Sequence, residues 1–188
     1  MIFDDQEFKG EAVAKAIADG ALYEYCIFRD GDLSGMDLSR CKFVNCDFIE
    51  VNLSNIALTG TRFQECSFQS CKILGFDLSG INSIGFKATF QSCNLSHAVF
   101  IGIGLKNASF EDCKLQGADF TDADCSGVSF LSCNFAEAVF DQTNLEKANF
   151  TGAYGYYIDP RQNKLKGARF DFPHAIGLLE PFGVIINS

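Results

Sequence analysis

The sequence has no tryptophan, 3 prolines and 2 histidines, and it has no apolar run close to the ~18 residues that a membrane helix needs. Neither His97 nor His174 lies in a recognisable motif with a serine or cysteine nucleophile, so we predict no catalytic residue and no enzymatic activity. There is also no CxxC pair among the 9 cysteines. We therefore predict no metal site and no cofactor.

Positive charge is scarce as well. The chain has 15 Lys and Arg against 24 Asp and Glu, which gives a net charge of -9. A protein that binds nucleic acid directly usually carries a basic surface, so direct binding is not expected. The first residues, MIFDDQEFKGE, lack the basic start and apolar stretch of a signal peptide. We expect a cytoplasmic protein that does not bind membranes and whose cysteines are reduced thiols.

Phenylalanine is abundant, with 20 copies, and it recurs with a period of five. Large apolar residues occupy every fifth position from Tyr23 to Leu78, and again from Phe90 to Phe150 with Cys125 as the exception. A small residue, most often Ala or Cys, lies two positions before most of these centres, and Asp or Asn often lies just before them. The remaining positions are mostly polar.

Neither a single helix nor a single strand accommodates this period. Five residues advance a helix by a whole turn plus about 140°, and a strand alternates with a period of two. A square coil does accommodate it, because each five-residue unit can form one side and turn one corner. The centre and the small residue then point inward, and stacked coils bond to each other through their backbones.

The units GADFTDADCSG, CNLSHAVF and TNLEKANF resemble the A(D/N)LxX signature of the pentapeptide-repeat family across residues 21 to 170. That resemblance implies an all-β fold, a right-handed quadrilateral parallel β-helix. We assign residues 1–170 to this solenoid and residues 171–188 to a C-terminal helical cap or dimerisation segment.

The two runs of centres differ in phase, because Leu78 and Phe90 are twelve residues apart. An insertion of either two or seven residues accounts for this. Seven residues would place the cysteines in one ladder on a single side of the square, so we predict a loop near residues 81–87. With that assignment the acidic residues spread over all four sides without forming a stripe. The cysteines of the predicted ladder are Cys26, Cys46, Cys66, Cys93, Cys113 and Cys133.

The predicted loop is apolar for a protruding segment, which is typical of a recognition surface. The alternative is that Ile84 or Phe86 folds back onto the coil. Neighbouring outward positions are also apolar where other repeats are polar. The predicted partner-binding patch comprises Ile81, Ile84, Phe86, Leu74, Val99 and Ile101.

Both ends depart from the repeat. EAVAKAIADG, residues 11–20, predicts a short helical turn in a degenerate first coil. After Phe150 the repeat decays, and DFPHAIGLLEPFG predicts a short helix that starts near Pro173 and stops at Gly183. An apolar helix at the end of a rod either caps the core or pairs with a second copy, and the residues that would make the contact are Ile176, Leu178, Leu179 and Phe182.

The segments IDPRQNKLKGARF and LLEPFGVII, together with the length, the loop and the acidity, resemble the Qnr-like group of the family. That resemblance implies a homodimeric DNA mimic that binds type II topoisomerases, DNA gyrase and topoisomerase IV, and protects them from quinolones. The group has two projecting loops, whereas this sequence has one clear insertion. The alternative is a scaffold that binds another protein through the loop and its neighbouring apolar residues.

Overall fold

The computed structural model describes residues 1–184, which form a parallel β-solenoid of about eight turns followed by a short 3-10 helix. The predicted four-sided fold is confirmed. The four sides are numbered here in chain order. The first side contains β1 (Ile2–Asp4), β3 (Leu22–Glu24), β5 (Lys42–Val44) and β7 (Arg62–Gln64).

The second side is the longest continuous sheet. It contains β2 (Glu7–Lys9), β4 (Ile27–Arg29), β6 (Asp47–Ile49), β8 (Cys66–Gln69), β9 (Ala88–Gln91), β10 (Ala108–Glu111), β11 (Ser129–Leu131), β12 (Asn149–Phe150) and β13 (Arg169–Phe170). The third and fourth sides consist of isolated parallel bridges, which begin at Asp32–Asn52 and Asp37–Ala57 respectively. The first side continues above β7 through the bridges that join Gly104, Asp124, Asn144 and Lys164.

Stacked aromatic rings fill the axis of the solenoid. On the second side Phe28 and Phe48 stack with centroids 4.8 Å apart, and Phe48 stacks on Phe68 at 4.9 Å. Rings of the first side meet them edge to face, as Phe43 meets Phe48 at 5.3 Å. This spacing matches the distance between hydrogen-bonded strands, so each coil adds one ring to the second-side stack.

The fourth side shows how large and small inward residues compensate each other. In the first half its centres are Leu38, Leu58 and Leu78, and the residues two positions earlier are the bulky Met36, Ile56 and Phe76. In the second half its centres are Phe100, Phe120 and Phe140, and the earlier residues are Ala98, Ala118 and Ala138. The side therefore fills a similar interior volume throughout, as close packing requires.

Asp and Asn precede the centres because their side chains close the corners. The Asp32 Oδ1 accepts the Ser34 backbone N–H at 2.8 Å, and Asp37 does the same for Ser39 at 2.9 Å. Hydrogen bonds from these serines hold the pKa of both carboxyls below its usual range. The corner residue that follows has positive φ, for example 64° at Arg40 and 52° at Asn45. Such a conformation costs a non-glycine residue about 1–2 kcal/mol.

The inward cysteines and threonines make the same type of hydrogen bond, to a carbonyl of the coil before. The Cys46 thiol donates to the Tyr23 carbonyl at 3.3 Å, and the Thr143 hydroxyl donates to the Phe120 carbonyl at 2.8 Å. Both partners are 23 residues apart, so each bond joins one coil to the coil before it. A small polar side chain at this position therefore satisfies a carbonyl that alanine leaves without this donor.

The break in the rhythm is an insertion of two residues, and the predicted seven-residue insertion is wrong. Phe48 pairs with Phe68, which in turn pairs with Phe90, so this coil has 22 residues where its neighbours have 20. Lys72 likewise pairs with Asn94, which places Cys93 above Cys71. The predicted single ladder is corrected to two columns. Cys26, Cys46 and Cys66 lie on the second side, and Cys71, Cys93, Cys113 and Cys133 lie on the third.

The N-terminal coil is partly helical, as predicted. Helix α1 (Glu11–Ala16) inserts Val13 into the core, where it occupies the space that a side chain at Gly31 would need. The buried Tyr23 hydroxyl donates to the Ala16 carbonyl and accepts the Ala18 N–H, both at 2.9 Å. Tyr23, whose ring is fully buried in the stacks, therefore joins α1 to the second coil.

The C-terminal segment forms a 3-10 helix, His174–Phe182, and ends at Gly183 in the left-handed conformation. Side chains three residues apart lie above one another in a 3-10 helix. The spacing of Ile176, Leu179 and Phe182 therefore produces one apolar row. The predicted segment extends to 188, and its last residues, 185–188, lie outside the described residues.

Candidate functional site

The loop at the break projects less than expected. Ile84 is 69% exposed, whereas Phe86 is 4% exposed and belongs to the core. Ile81 is half-buried against the same core. The Ile84 carbonyl accepts a hydrogen bond from Gln64 at 3.4 Å, and Lys87 pairs with Glu65 at 2.7 Å. The loop is therefore held against the first side, and the Phe86 ring is not available to a partner.

The other residues of the predicted patch are dispersed. Leu74 follows the third-side centre Ile73 and is half-buried. Val99 bridges Asp77 and Asp119 on the fourth side, next to Ile101, which is 43% exposed. Ile84 lies on the first side. The structure brings Val99 and Ile101 together but does not unite the predicted residues in one surface.

The predicted dimerisation residues lie at the C-terminal end, and their exposure differs. Leu179 and Phe182 are 41% and 53% exposed, whereas Ile176 is half-buried and Leu178 packs against the core. Arg161 lies over the Phe182 ring, 5.3 Å from its centroid, and Asp159 binds the same guanidinium at 2.6 Å. This arrangement holds the helix against the last coil while part of its apolar row faces solvent.

The cysteines are buried free thiols. Burial raises the pKa of Cys46 and Cys66 to about 12, and hydrogen bonding to Cys133 raises that of Cys113 to about 12. Thiols with such a raised pKa are poor nucleophiles and poor metal ligands. Within residues 1–184 no group of three or more His, Cys, Asp or Glu side chains is arranged to hold a metal ion.

An open groove of about 950 Å³ lies between α1 and the corner that joins the second and third sides. Its lining mixes acidic and basic residues, including Glu50 and Lys72, and contains neither histidine nor cysteine.

The corrected register changes the distribution of charge. Seven of the 15 basic residues lie on the first side, where Lys106 pairs with Asp124 at 2.9 Å. These first-side residues are Lys42, Arg62, Lys87, Lys106, Lys147, Lys164 and Lys166. Acidic residues exceed basic ones on the second and fourth sides, which are opposite each other. The expectation of an even spread is wrong, because it depended on the seven-residue insertion.

The fourth side is the most uniformly acidic. Its acidic residues above the first coil are Asp37, Asp77, Asp119, Asp122, Asp141 and Asp159. Its basic residues are Arg40 and Arg161, which already pair with Asp19 and Asp159. Val139, which the sequence reasoning missed, is 46% exposed on this side. Val139 lies two coils beyond the predicted patch residue Val99, and that spacing was the available signal.

Within the described residues 1–184, no helix is long and apolar enough to cross a membrane.

The five-residue repeat and the solenoid fold define a class of protein, and comparison with models of protein families identifies it. A model of pentapeptide repeats in eight copies matches residues 24–55 and 46–82, and a pentapeptide repeat region matches residues 82–150. The chain therefore belongs to the pentapeptide repeat family. It matches none of the curated proteins with which it was compared.

Among solved structures, the chain is similar to full-length QnrB1, described as a plasmid-mediated fluoroquinolone resistance protein. The identity is 21%, the match covers 98% of this chain and 100% of that one, and the TM-score is 0.50. A trypsin-treated QnrB1 variant matches with 19% identity, coverage of 100% and 98%, and a TM-score of 0.55. HetL from the cyanobacterium Nostoc, described as involved in heterocyst differentiation regulation, has 18% identity, coverage of 89% and 82%, and a TM-score of 0.49.

Proposed function

We propose that this protein is a non-catalytic rod that binds a type II topoisomerase, DNA gyrase or topoisomerase IV, at a surface that otherwise binds DNA. The observation that carries the proposal is the excess of acidic side chains on two opposite sides of a filled, rigid rod. A protein groove that binds duplex DNA is lined with basic residues, and such a groove attracts an acidic rod by the same electrostatic force.

The similarity to QnrB1 adds support of a different kind. At 21% identity it establishes the fold, and because QnrB1 is a fluoroquinolone resistance protein, quinolone protection is the first activity to test. The proposal also places the protein in the cytoplasm with the topoisomerases. The nine buried cysteines are free thiols, which agrees with the reducing conditions of that compartment.

The test is a supercoiling assay with purified DNA gyrase, with and without ciprofloxacin. We expect micromolar protein either to inhibit supercoiling by competing with DNA or to restore supercoiling in the presence of the drug. Raised salt is expected to weaken the effect, because the attraction is electrostatic. If the protein does neither with gyrase or with topoisomerase IV, the proposal is wrong.

A second candidate is a scaffold with a different protein partner, and the 69% exposure of Ile84 favours it. The matched variants Ile84→Ser and Ile2→Ser distinguish the candidates, since Ile2 is also 69% exposed but lies far along the chain from the loop. If the rod acts through its charge, both variants retain the gyrase effect. If gyrase is unaffected by the protein, and affinity capture yields a partner with wild type and Ile2→Ser but not with Ile84→Ser, the scaffold function is supported.

We also propose a homodimer formed by the C-terminal ends. Phe172, Leu179 and Phe182 are exposed on one short segment, and a second copy would bury them. Leu179→Asp is expected to halve the mass measured by light scattering. Val139→Asp, at a similarly exposed site on the fourth side, should leave the mass unchanged. An unchanged mass for Leu179→Asp would contradict the proposed dimer.

A further inference from the structure

The fourth side is a sheet face that combines uncompensated charge with exposed apolar side chains. Along its bridged column the outward residues alternate between acidic and apolar, as Asp77, Val99, Asp119 and Val139. Ile101 and Val139 are 43% and 46% exposed. Over residues 1–184, no ion pair involves any of the carboxylates of Asp37, Asp77, Asp119, Asp122 and Asp141.

The same face has two shallow depressions. One, of about 200 Å³, is lined by Ala57, Thr59, Asp77 and Ser79 among others. The other, of about 430 Å³, includes Val139 and Tyr157, and Tyr157 is 54% exposed. Protein interfaces combine such depressions with apolar anchors and a polar rim. The first side differs, because its carboxylates Glu65 and Asp124 are neutralised by Lys87 and Lys106.

We propose that the fourth side is the docking surface of the rod, and that its partner is a protein surface rich in lysine and arginine with small apolar groups between them. The inference rests on the proposed function and specifies it, since it assigns the topoisomerase contact to one side. The aspartates pair with the partner's cations, while Val99, Ile101 and Val139 contact its apolar groups.

Charge excludes the other occupants of this face. Nucleic acid and anionic membranes would face the row of aspartates with like charge. A second copy on this face would bring the aspartates of the two copies together, and like charges brought together at an interface are destabilising. A basic protein surface is the occupant that gains from both the carboxylates and the exposed aliphatic groups.

The variant Asp77→Asn, Asp119→Asn, Asp141→Asn removes charge while keeping the corners. The Asp77 Oδ1 accepts the Ser79 N–H at 2.8 Å, and Asn52 accepts the Ser54 N–H in the same way elsewhere in the rod. Asparagine therefore replaces aspartate at this position without loss of the turn. Circular dichroism of the variant checks that the solenoid is intact.

Binding to purified DNA gyrase is measured by stopped flow at two salt concentrations. The triple variant should associate roughly 10-fold more slowly than wild type at low salt, and the difference should shrink at high salt, where the Debye length is short. The matched control Asp32→Asn, Glu137→Gln, Glu146→Gln removes equal charge from the first and third sides. It should stay within about 2-fold of wild type, because it leaves the fourth side intact.

The outcomes separate this inference from the proposed function. If wild type binds gyrase and the two triple variants are slowed equally, the fourth side is not the docking surface, although the proposed function stands. If wild type binds neither gyrase nor topoisomerase IV, both are overturned. Val99→Ser, Val139→Ser should speed dissociation without altering the salt dependence, and unchanged dissociation would refute the apolar part of the contact.

Discussion

Replacement of Phe120 by alanine tests the aromatic core directly. The Phe120 ring is fully buried on the fourth side. It stacks on Phe100 at 4.8 Å and on Phe140 at 5.0 Å, and it meets Phe130 edge to face at 5.8 Å. The coils above and below are fixed by backbone hydrogen bonds, so the neighbouring rings cannot collapse into the space that the ring leaves.

Burial on all sides and poor collapse place the cost in the upper half of the range for Phe→Ala, at about 4–5 kcal/mol. Domains are stable by about 5–15 kcal/mol, so the loss is a large fraction of the total. Urea unfolding followed by far-UV circular dichroism measures it. With a slope of about 2 kcal/mol per molar urea, the midpoint should fall by about 2–2.5 M.

Phe170→Ala is the matched control at the last coil. Phe170 is half-buried and has one stacked neighbour, Phe150 at 4.9 Å, with Tyr156 beside it. Its loss should be less than about 2 kcal/mol, because a partly exposed site recovers water contact. Equal losses for the two variants, or a loss below about 1 kcal/mol for Phe120→Ala, would refute the account of the core as a stack of mutually supporting rings.

Three further predictions concern the ends, the thiols and the loop. Tyr23→Phe should cost about 1–3 kcal/mol, because the Ala16 carbonyl loses its buried donor, and hydrogen exchange of α1 should rise. Burial raises the pKa of Cys46 to about 12, so the folded state favours the neutral thiol. The resulting stability is present below the unfolded pKa of about 8.5 and is lost as pH rises toward 12, and Cys46→Ala should flatten the fall of Tm over this range. Phe86→Ala should cost about 3–5 kcal/mol, whereas Ile84→Ala should stay within about 0.5 kcal/mol in thermal unfolding; the reverse order would contradict the burial of Phe86.

The sequence was sufficient to predict the solenoid, because one residue in five must be large and apolar on every side. The same regularity leaves undetermined how the units above the break align with those below it. All four sides obey one rule, so the pattern does not state which side a unit occupies, and insertions of two and seven residues preserve it equally. Cysteine was a poor marker of the side, because it fits any small inward position where its thiol can donate to a carbonyl. Cys66 and Cys71 do so on different sides.

The size of the inward residues was a better marker of which side of the square each unit occupies. The large inward residues Met36, Ile56 and Phe76 accompany leucine centres, and alanines accompany the phenylalanine centres of the second half. This exchange of volume keeps the fourth side continuous across the break. The exposed patch was mispredicted for the same reason. A seven-residue insertion would place Leu74 and Val99 on one side of the square, whereas they belong to the third and fourth sides.

The two-residue insertion also determines how far the half of the rod above the break is rotated relative to the half below it. Had the same residues formed a seven-residue loop, every unit above it would be turned back by a quarter of a revolution. Asp37 and Asp77 would then point at right angles to Asp119 and Asp141. With two inserted residues these aspartates share one plane on both sides of the break. A rigid body as long as the rod can therefore touch both halves at once without bending.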